Sequence, residues 1–163
     1  MQSRNEGAAT HNFSDEVARM LSESGWYSGR NAEKALKLPA GFAVFPAASQ
    51  ILKEFGNLKC GKRGRGIDRA RSTLNLDPSL AAGESDRFDP YARLLGARLY
   101  PLGEADDGHS FVAIDDKGRV FLVMDFMMFV GEDFVSALET LLLGKRSRPV
   151  DEQEWSTKGI EVI

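Results

Sequence analysis

The sequence is short of the residues from which catalytic and metal chemistry is usually built. It holds one cysteine, Cys60, which excludes an internal disulfide and a thiolate metal cluster. It has two histidines, His11 and His109, far apart along the chain, and no H-E-x-x-H. No G-x-S-x-G marks a nucleophile, and Cys60, although near Lys59 and Lys62, has no adjacent histidine to act as base. Long apolar runs are missing as well. The longest candidate, 120–130, contains Asp125 and falls short of the roughly 18–20 residues that cross a bilayer. Residues 1–16 carry no apolar signal-peptide core. These absences predict a cytoplasmic protein with no catalytic residues, no cofactor, no bound metal and no membrane partner.

Two near-matches to chemical motifs fail on inspection. Residues 56–63 spell G-x-x-x-x-G-K, but Arg63 stands where a phosphate-binding loop needs Ser or Thr, and the piece leaves a helix instead of opening one. Asp106, Asp107 and His109 lack the spaced oxygens of a calcium loop.

What is present is an ordinary globular composition in 163 residues, enough for one domain with a real core. The net charge of −3 is unevenly spread. Between 59 and 71 six cations (Lys59, Lys62, Arg63, Arg65, Arg69, Arg71) face one acid, Asp68, whereas 84–116 is dominated by acids. Such asymmetry can orient a charged partner. The basic stretch admits a nucleic-acid reading, but it lacks stacking aromatics and the overall pI is near 5.5, which favours a solvated or partner-facing loop.

Along the chain, 1–12 is polar and without periodicity, a leader expected to be disordered. Residues 13–24 predict a helix capped by Ser14, with Phe13, Val17, Met20 and Leu21 on one stripe. A Gly-Trp-Tyr-Ser-Gly-Arg turn follows, then a short helix capped by Asn31. A strand-like piece at 42–45 runs into Pro46 and a helix whose core face is Ala48, Ile51, Leu52 and Phe55, ended at Gly56 by a residue free to adopt positive φ. Strands are expected at 58–60 and 67–76, a turn at 78–82, and a helix over 85–95 disturbed at Asp89-Pro90. Three β-like runs follow at 98–102, 110–115 and 119–125, the last two joined by a hairpin signal, Asp-Asp-Lys-Gly. A final amphipathic helix over 132–143 buries Phe134, Ala137, Leu138, Leu141 and Leu142, with Gly144 as cap. The reading is α+β: a single domain over 13–144 with a mostly antiparallel β-sheet and flanking helices, then a charged tail at 145–163.

In the run 120–131 both alternating faces are apolar apart from Asp125. Covered on both sides, it is core; open on one, it offers Phe121, Val123, Met127 and Phe129 to a partner. For 126–129 both readings stay open. Trp26, Tyr27 and Arg30 are hot-spot residue types.

The ordered features resemble the SUKH superfamily of bacterial immunity proteins, and within it the third SUKH group. The resemblance rests on Gly25, Trp26, Gly29 and Arg30; on P-A-A-x-x-x-L-x-E-F-G-x-L from Pro46 to Leu58; and on Leu76-Asp77-Pro78 with Ala81, Gly83, Glu84, Asp86 and Phe88. It continues through Leu95-Gly96, Leu99 and Pro101 to Gly103, then Ile114, Asp115, Gly118 and Val120, and ends with the helix from Gly131 to Gly144. Asn57 stands where the family often has a second glycine, and the 59–71 loop is unusually basic. The resemblance implies a SUKH-like fold and a non-enzymatic immunity protein that binds a cognate polymorphic toxin, often a nuclease, and blocks it stoichiometrically. Alternatives are a SUKH-like scaffold or regulatory module that binds another protein, and a nucleic-acid-associated protein using the basic loop. The partner surface is expected to combine Glu104, Asp106 and Asp107 with apolar residues Phe126, Met127 and Phe129, with Trp26 and Arg30 as further candidates.

Overall fold

The structure, a computed structural model, describes residues 11–150. Helix α1 (Asp15–Glu23) starts at Ser14, whose hydroxyl accepts the Val17 amide at 3.3 Å, and buries Val17, Met20 and Leu21. A 3₁₀ turn (Glu33–Ala35) follows, with the Asn31 side chain accepting the Glu33 amide. Helix α2 (Pro46–Phe55) begins with Pro46, whose missing N–H costs nothing at that position, and buries Ala48, Leu52 and Phe55. Strands β1 (Lys59–Cys60) and β2 (Leu74–Asn75) precede a 3₁₀ turn (Pro78–Ala81) and helix α3 (Ser85–Leu95). Strands β3 (Leu99–Ala105), β4 (Ser110–Asp115), β5 (Val120–Val123) and β6 (Met127–Gly131) lead to helix α4 (Phe134–Leu143) and strand β7 (Arg148–Pro149). The strands form one antiparallel sheet in sequence order, β1 through β7. The α+β expectation therefore holds, with one sheet between helices.

The sheet is covered on both faces, and side-chain alternation divides the core in two. Val112, Ile114, Val120, Leu122 and Val130 point to the face carrying α1, α2 and α4. Ala113, Phe121, Val123, Met127 and Phe129 point to the face carrying α3, where Phe88 and Leu95 meet them. At the β4–β5 hairpin the buried Asp115 carboxylate accepts the Lys117 and Arg119 amides at 2.9 Å and the Arg119 Nε at 2.7 Å. A buried carboxylate is tolerable when so fully partnered.

Several local expectations are corrected. The apolar run 120–131 is not one strand: the chain reverses at 124–126, where the Met124 amide donates to the Phe126 carbonyl at 2.9 Å. Residues 42–45 are not in a strand, although Phe45 is extended. The 67–76 strand shrinks to Leu74–Asn75, because 61–73 is held by other contacts. At the end of α2 the positive φ falls on Asn57 (67°), not on Gly56, whose φ is −60°. Gly56 is required for space: a Cβ there would lie 2.4 Å from Leu36 Cδ2 and 2.5 Å from the Leu52 carbonyl. Asn57 tolerates the left-handed conformation better than most residues and donates its amide to the Leu76 carbonyl at 2.7 Å. Helix α3 runs through Pro90 without a break; Asp86 and Pro90 are both exposed, so water can serve the carbonyl that loses its donor.

His11, assigned to the leader, packs beside Phe13 and Phe55 and lies 3.1 Å from Glu54 Oε1. Phe55 in turn meets Phe134 at 4.8 Å between ring centroids, tying α2 to the first turn of α4. Phe55→Ala and Leu138→Ala should each lower stability by about 2–5 kcal/mol in urea denaturation, as truncations in a dry core do. A loss under about 1 kcal/mol at either position would contradict this packing.

Candidate functional site

Strand register decides which loops share an end of the sheet. Cys60 pairs with Leu74, Leu74 with Ala105, Ala105 with Ser110, Phe111 with Val123, and Val123 with Met127. The connections 61–73, 106–109 and 124–126 therefore all leave the same end. The basic run 59–71, the acids 104–107 and Phe126 gather there, whereas Trp26, Tyr27, Arg30 and the acids of the 115–119 hairpin lie elsewhere.

The basic segment is held by α4. The last carbonyls of a helix have no partner within it, and here loop amides fill them. Ser72 donates to Leu141 at 2.9 Å, Ile67 to Leu143 at 3.0 Å, and Asp68 and Arg69 to Gly144 at 2.7 and 3.0 Å. Arg71 Nη1 reaches the Leu142 carbonyl at 3.3 Å and pairs with Glu16 of α1 at 3.0 Å. Helix α4 has no basic residue in its own last turn, so the loop also supplies the cation that the negative end of the helix dipole favours. The fit is tight because two glycines face each other: a Cβ on Gly66 would lie 2.6 Å from Gly144 Cα. With its backbone fixed, the loop leaves Lys62, Arg63, Arg65 and Arg69 exposed, together with Ile67 at 64% of its full accessibility.

The neighbouring β3–β4 turn contains two of the expected acids, and they do different work. Asp106, Asp107 and Gly108 all have positive φ (54°, 57° and 91°), a conformation that Asp adopts more readily than most side chains. The half-buried Asp106 carboxylate accepts the Thr73 amide at 3.1 Å and the Ser72 hydroxyl at 3.2 Å, while its own amide donates to the Thr73 carbonyl at 2.8 Å. His109 Nδ1 donates to the Asp106 carbonyl at 2.5 Å. Asp107 instead points outward and pairs with Arg63, both side chains being largely exposed. Such a pair contributes about 0–1 kcal/mol, so it marks adjacency more than it provides stability. The acidic and basic loops, separate blocks in the sequence, are thus one continuous face. Glu104 lies within β3, not in the turn, and is half-buried between Asn75 and Phe111 in the register. With Lys59, Asn75 and Asp107 it lines a groove of about 400 Å³.

Of the apolar candidates, only Phe126 is on the surface, at 55% exposure. Met127 and Phe129 are buried in the cluster under α3, so neither can anchor a partner, a correction that follows from the turn at 124–126. Trp26 and Arg30 lie elsewhere. The Trp26 ring stacks on Phe55 with 5.8 Å between centroids, and its Nε1 donates to Glu54 Oε2 at 2.9 Å. Arg30 Nη1 donates to the Glu54 carbonyl at 2.7 Å. Both clamp the end of α2, near the first turn of α4 and away from the loops on its last turn. Their part in binding is unsupported by this placement.

The two histidines sit apart, His11 with Glu54 and His109 with Asp106. Among the described residues no three His, Cys, Asp or Glu side chains converge on a metal-sized site, and no described helix is long and apolar enough to cross a membrane. Burial pushes the Cys60 thiol up to about 12, so it is held neutral and unreactive. The arrangement at the loop end is a fixed, charged surface with two exposed apolar residues, suited to protein contact. Sequence reasoning missed the Arg63–Asp107 contact and the structural role of Asp106. The Asp-Asp-Gly string at 106–108 carried a turn signal for the latter.

A family model described as SUKH-3 immunity protein matches residues 13–144. No curated protein and no solved structure matches the chain.

Asp106→Ala should cost about 1–3 kcal/mol of stability by leaving the Thr73 amide and Ser72 hydroxyl without their acceptor. Asp107→Ala should stay within about 0.5 kcal/mol of the parent protein. Equal effects in thermal denaturation would contradict the division of roles.

Proposed function

Because this chain belongs to the SUKH-3 immunity protein family, we propose that it binds a cognate bacterial polymorphic toxin in the cytoplasm and neutralises it stoichiometrically, presenting the loop end of its sheet. The observation that carries the choice of face is the locking of 61–73 onto α4, which fixes exposed charge before any partner arrives. A preordered loop loses little conformational entropy on binding, so more of the contact energy appears as affinity. Blocking an enzyme by occupancy needs a dissociation constant on the order of nanomolar or below, since escaped toxin turns over many substrates.

Glu104, Asp107 and Asp125 put carboxylates on this face, and Phe126 puts an aromatic beside them. A nuclease is a toxin such a face suits, because its substrate groove is lined with cations that recognise phosphate. Acids set against that groove speed capture, and the aromatic anchor slows release. Met127 and Phe129, buried under α3, stay in the core and leave the contact to Phe126.

The test is co-expression with the toxin encoded beside this gene, scored by growth, with binding kinetics of the purified pair. The parent chain restores growth without altering the toxin covalently. Asp107→Lys with Phe126→Ser slows association and speeds release, raising the dissociation constant by about tenfold or more. Full binding by that variant, with loss of binding in Trp26→Ala or Arg30→Glu, would move the interface to the other end of α4.

A further inference from the structure

The loop end of the sheet is electrically divided, and the division is self-complementary. On one side stand Lys62, Arg63, Arg65 and Arg69 around the exposed Ile67, with Arg146 beside Asp68, so cations outnumber the acids Asp68 and Asp107. On the other side the β5–β6 turn meets the first turns of α3. There Glu84, Asp86 and Asp125, against Arg87, leave two negative charges in and around a shallow groove of about 520 Å³ that Tyr91 and Met124 also line. Burial, and then the charge of Asp125, hold the Tyr91 hydroxyl above its ordinary range. Phe126 is exposed on this side as Ile67 is on the other. The basic half rests on the end of α4 and the acidic half beside the start of α3, so the two flank this end of the sheet from its opposite faces.

We propose that this end of the sheet takes a second copy of the chain, in a twofold dimer in which the basic half of each copy faces the acidic half of the other. A twofold contact uses the same patch on both partners, so it requires a surface that complements itself. Opposite charge on the two halves meets that requirement, and the rotation carries Ile67 of one copy towards Phe126 of the other. The net charge of −3 per chain opposes association only weakly, since charges farther apart than about 8 Å are screened at physiological salt. A nucleic acid fits less well, because the acidic half repels phosphate. The dimer covers the face assigned above to the toxin but needs no toxin to exist, so it stands or falls separately from that assignment.

Sedimentation velocity of the full chain tests this. At about 0.05 M salt the protein should show a concentration-dependent dimer, with a dissociation constant that rises by about tenfold or more at 0.5 M. Arg63→Glu with Arg65→Glu, and separately Asp86→Lys with Asp125→Lys, should each weaken it by about tenfold or more. An equimolar mixture of the two double variants should regain a heterodimer, because one then carries net negative charge on both halves and the other net positive charge on both. Ile67→Ser and Phe126→Ser, which reverse no charge, should also weaken the parent dimer, with circular dichroism confirming that each variant is folded. A monomer at every concentration, a dimer indifferent to salt and to both double variants, or a mixture that stays monomeric would each overturn the proposal.

Discussion

The carbonyls that end α4 have no partner within the helix, and the chain supplies one from a loop far earlier in the sequence. Donation from Ile67, Asp68, Arg69 and Ser72 to the 141–144 carbonyls satisfies groups whose burial would otherwise be costly. The same contacts fix a stretch rich in glycine and arginine that would be mobile if left to itself. They also hold β2 in register beside β3, because Ser72 and Thr73 are bound to Asp106 immediately before β2 begins. The charged face is therefore a consequence of how one helix is terminated. Gly66 and Gly144 make the approach possible, since a side chain at either position would meet backbone within 3 Å.

Elements set by local chemistry were legible in the sequence. Ser14 capping α1, the Asp-Asp-Lys-Gly hairpin, and Gly144 closing α4 at positive φ each depend on neighbours within a turn or two, and the apolar stripes of α1 and α4 lie at helical spacing. Strand β1 was legible, expected at 58–60 and found at Lys59–Cys60, whereas β2 was legible only as part of a longer run, 67–76, most of which is shaped by α4 instead. The end of α2 was half legible. A glycine was rightly expected there, but its role is to let Leu36 pass close by, and Asn57 takes the left-handed turn.

The candidate site was legible in composition and not in arrangement. The acids at 104–107 and the cations at 59–71 were visible as opposed blocks, but the contact between Arg63 and Asp107 spans 44 positions and leaves no periodic trace. Met127 and Phe129 had the composition of an interface and the location of a core, which only the reversal at 124–126 decides. Asp106 resembled Asp107 in every respect a sequence can show. It differs because Thr73 and Ser72 point at it, while Asp107 meets solvent and an exposed arginine.

A locked loop end can be tested in the free protein by hydrogen exchange, without any partner. If the account is right, the amides of Ile67, Asp68 and Ser72 exchange on the timescale of the β4 amides, slower than unstructured chain by about a hundredfold or more. Exchange of all three at the rate of solvent-exposed backbone, with β4 still protected, would show that the loop is not held by α4 and would contradict a preformed binding face.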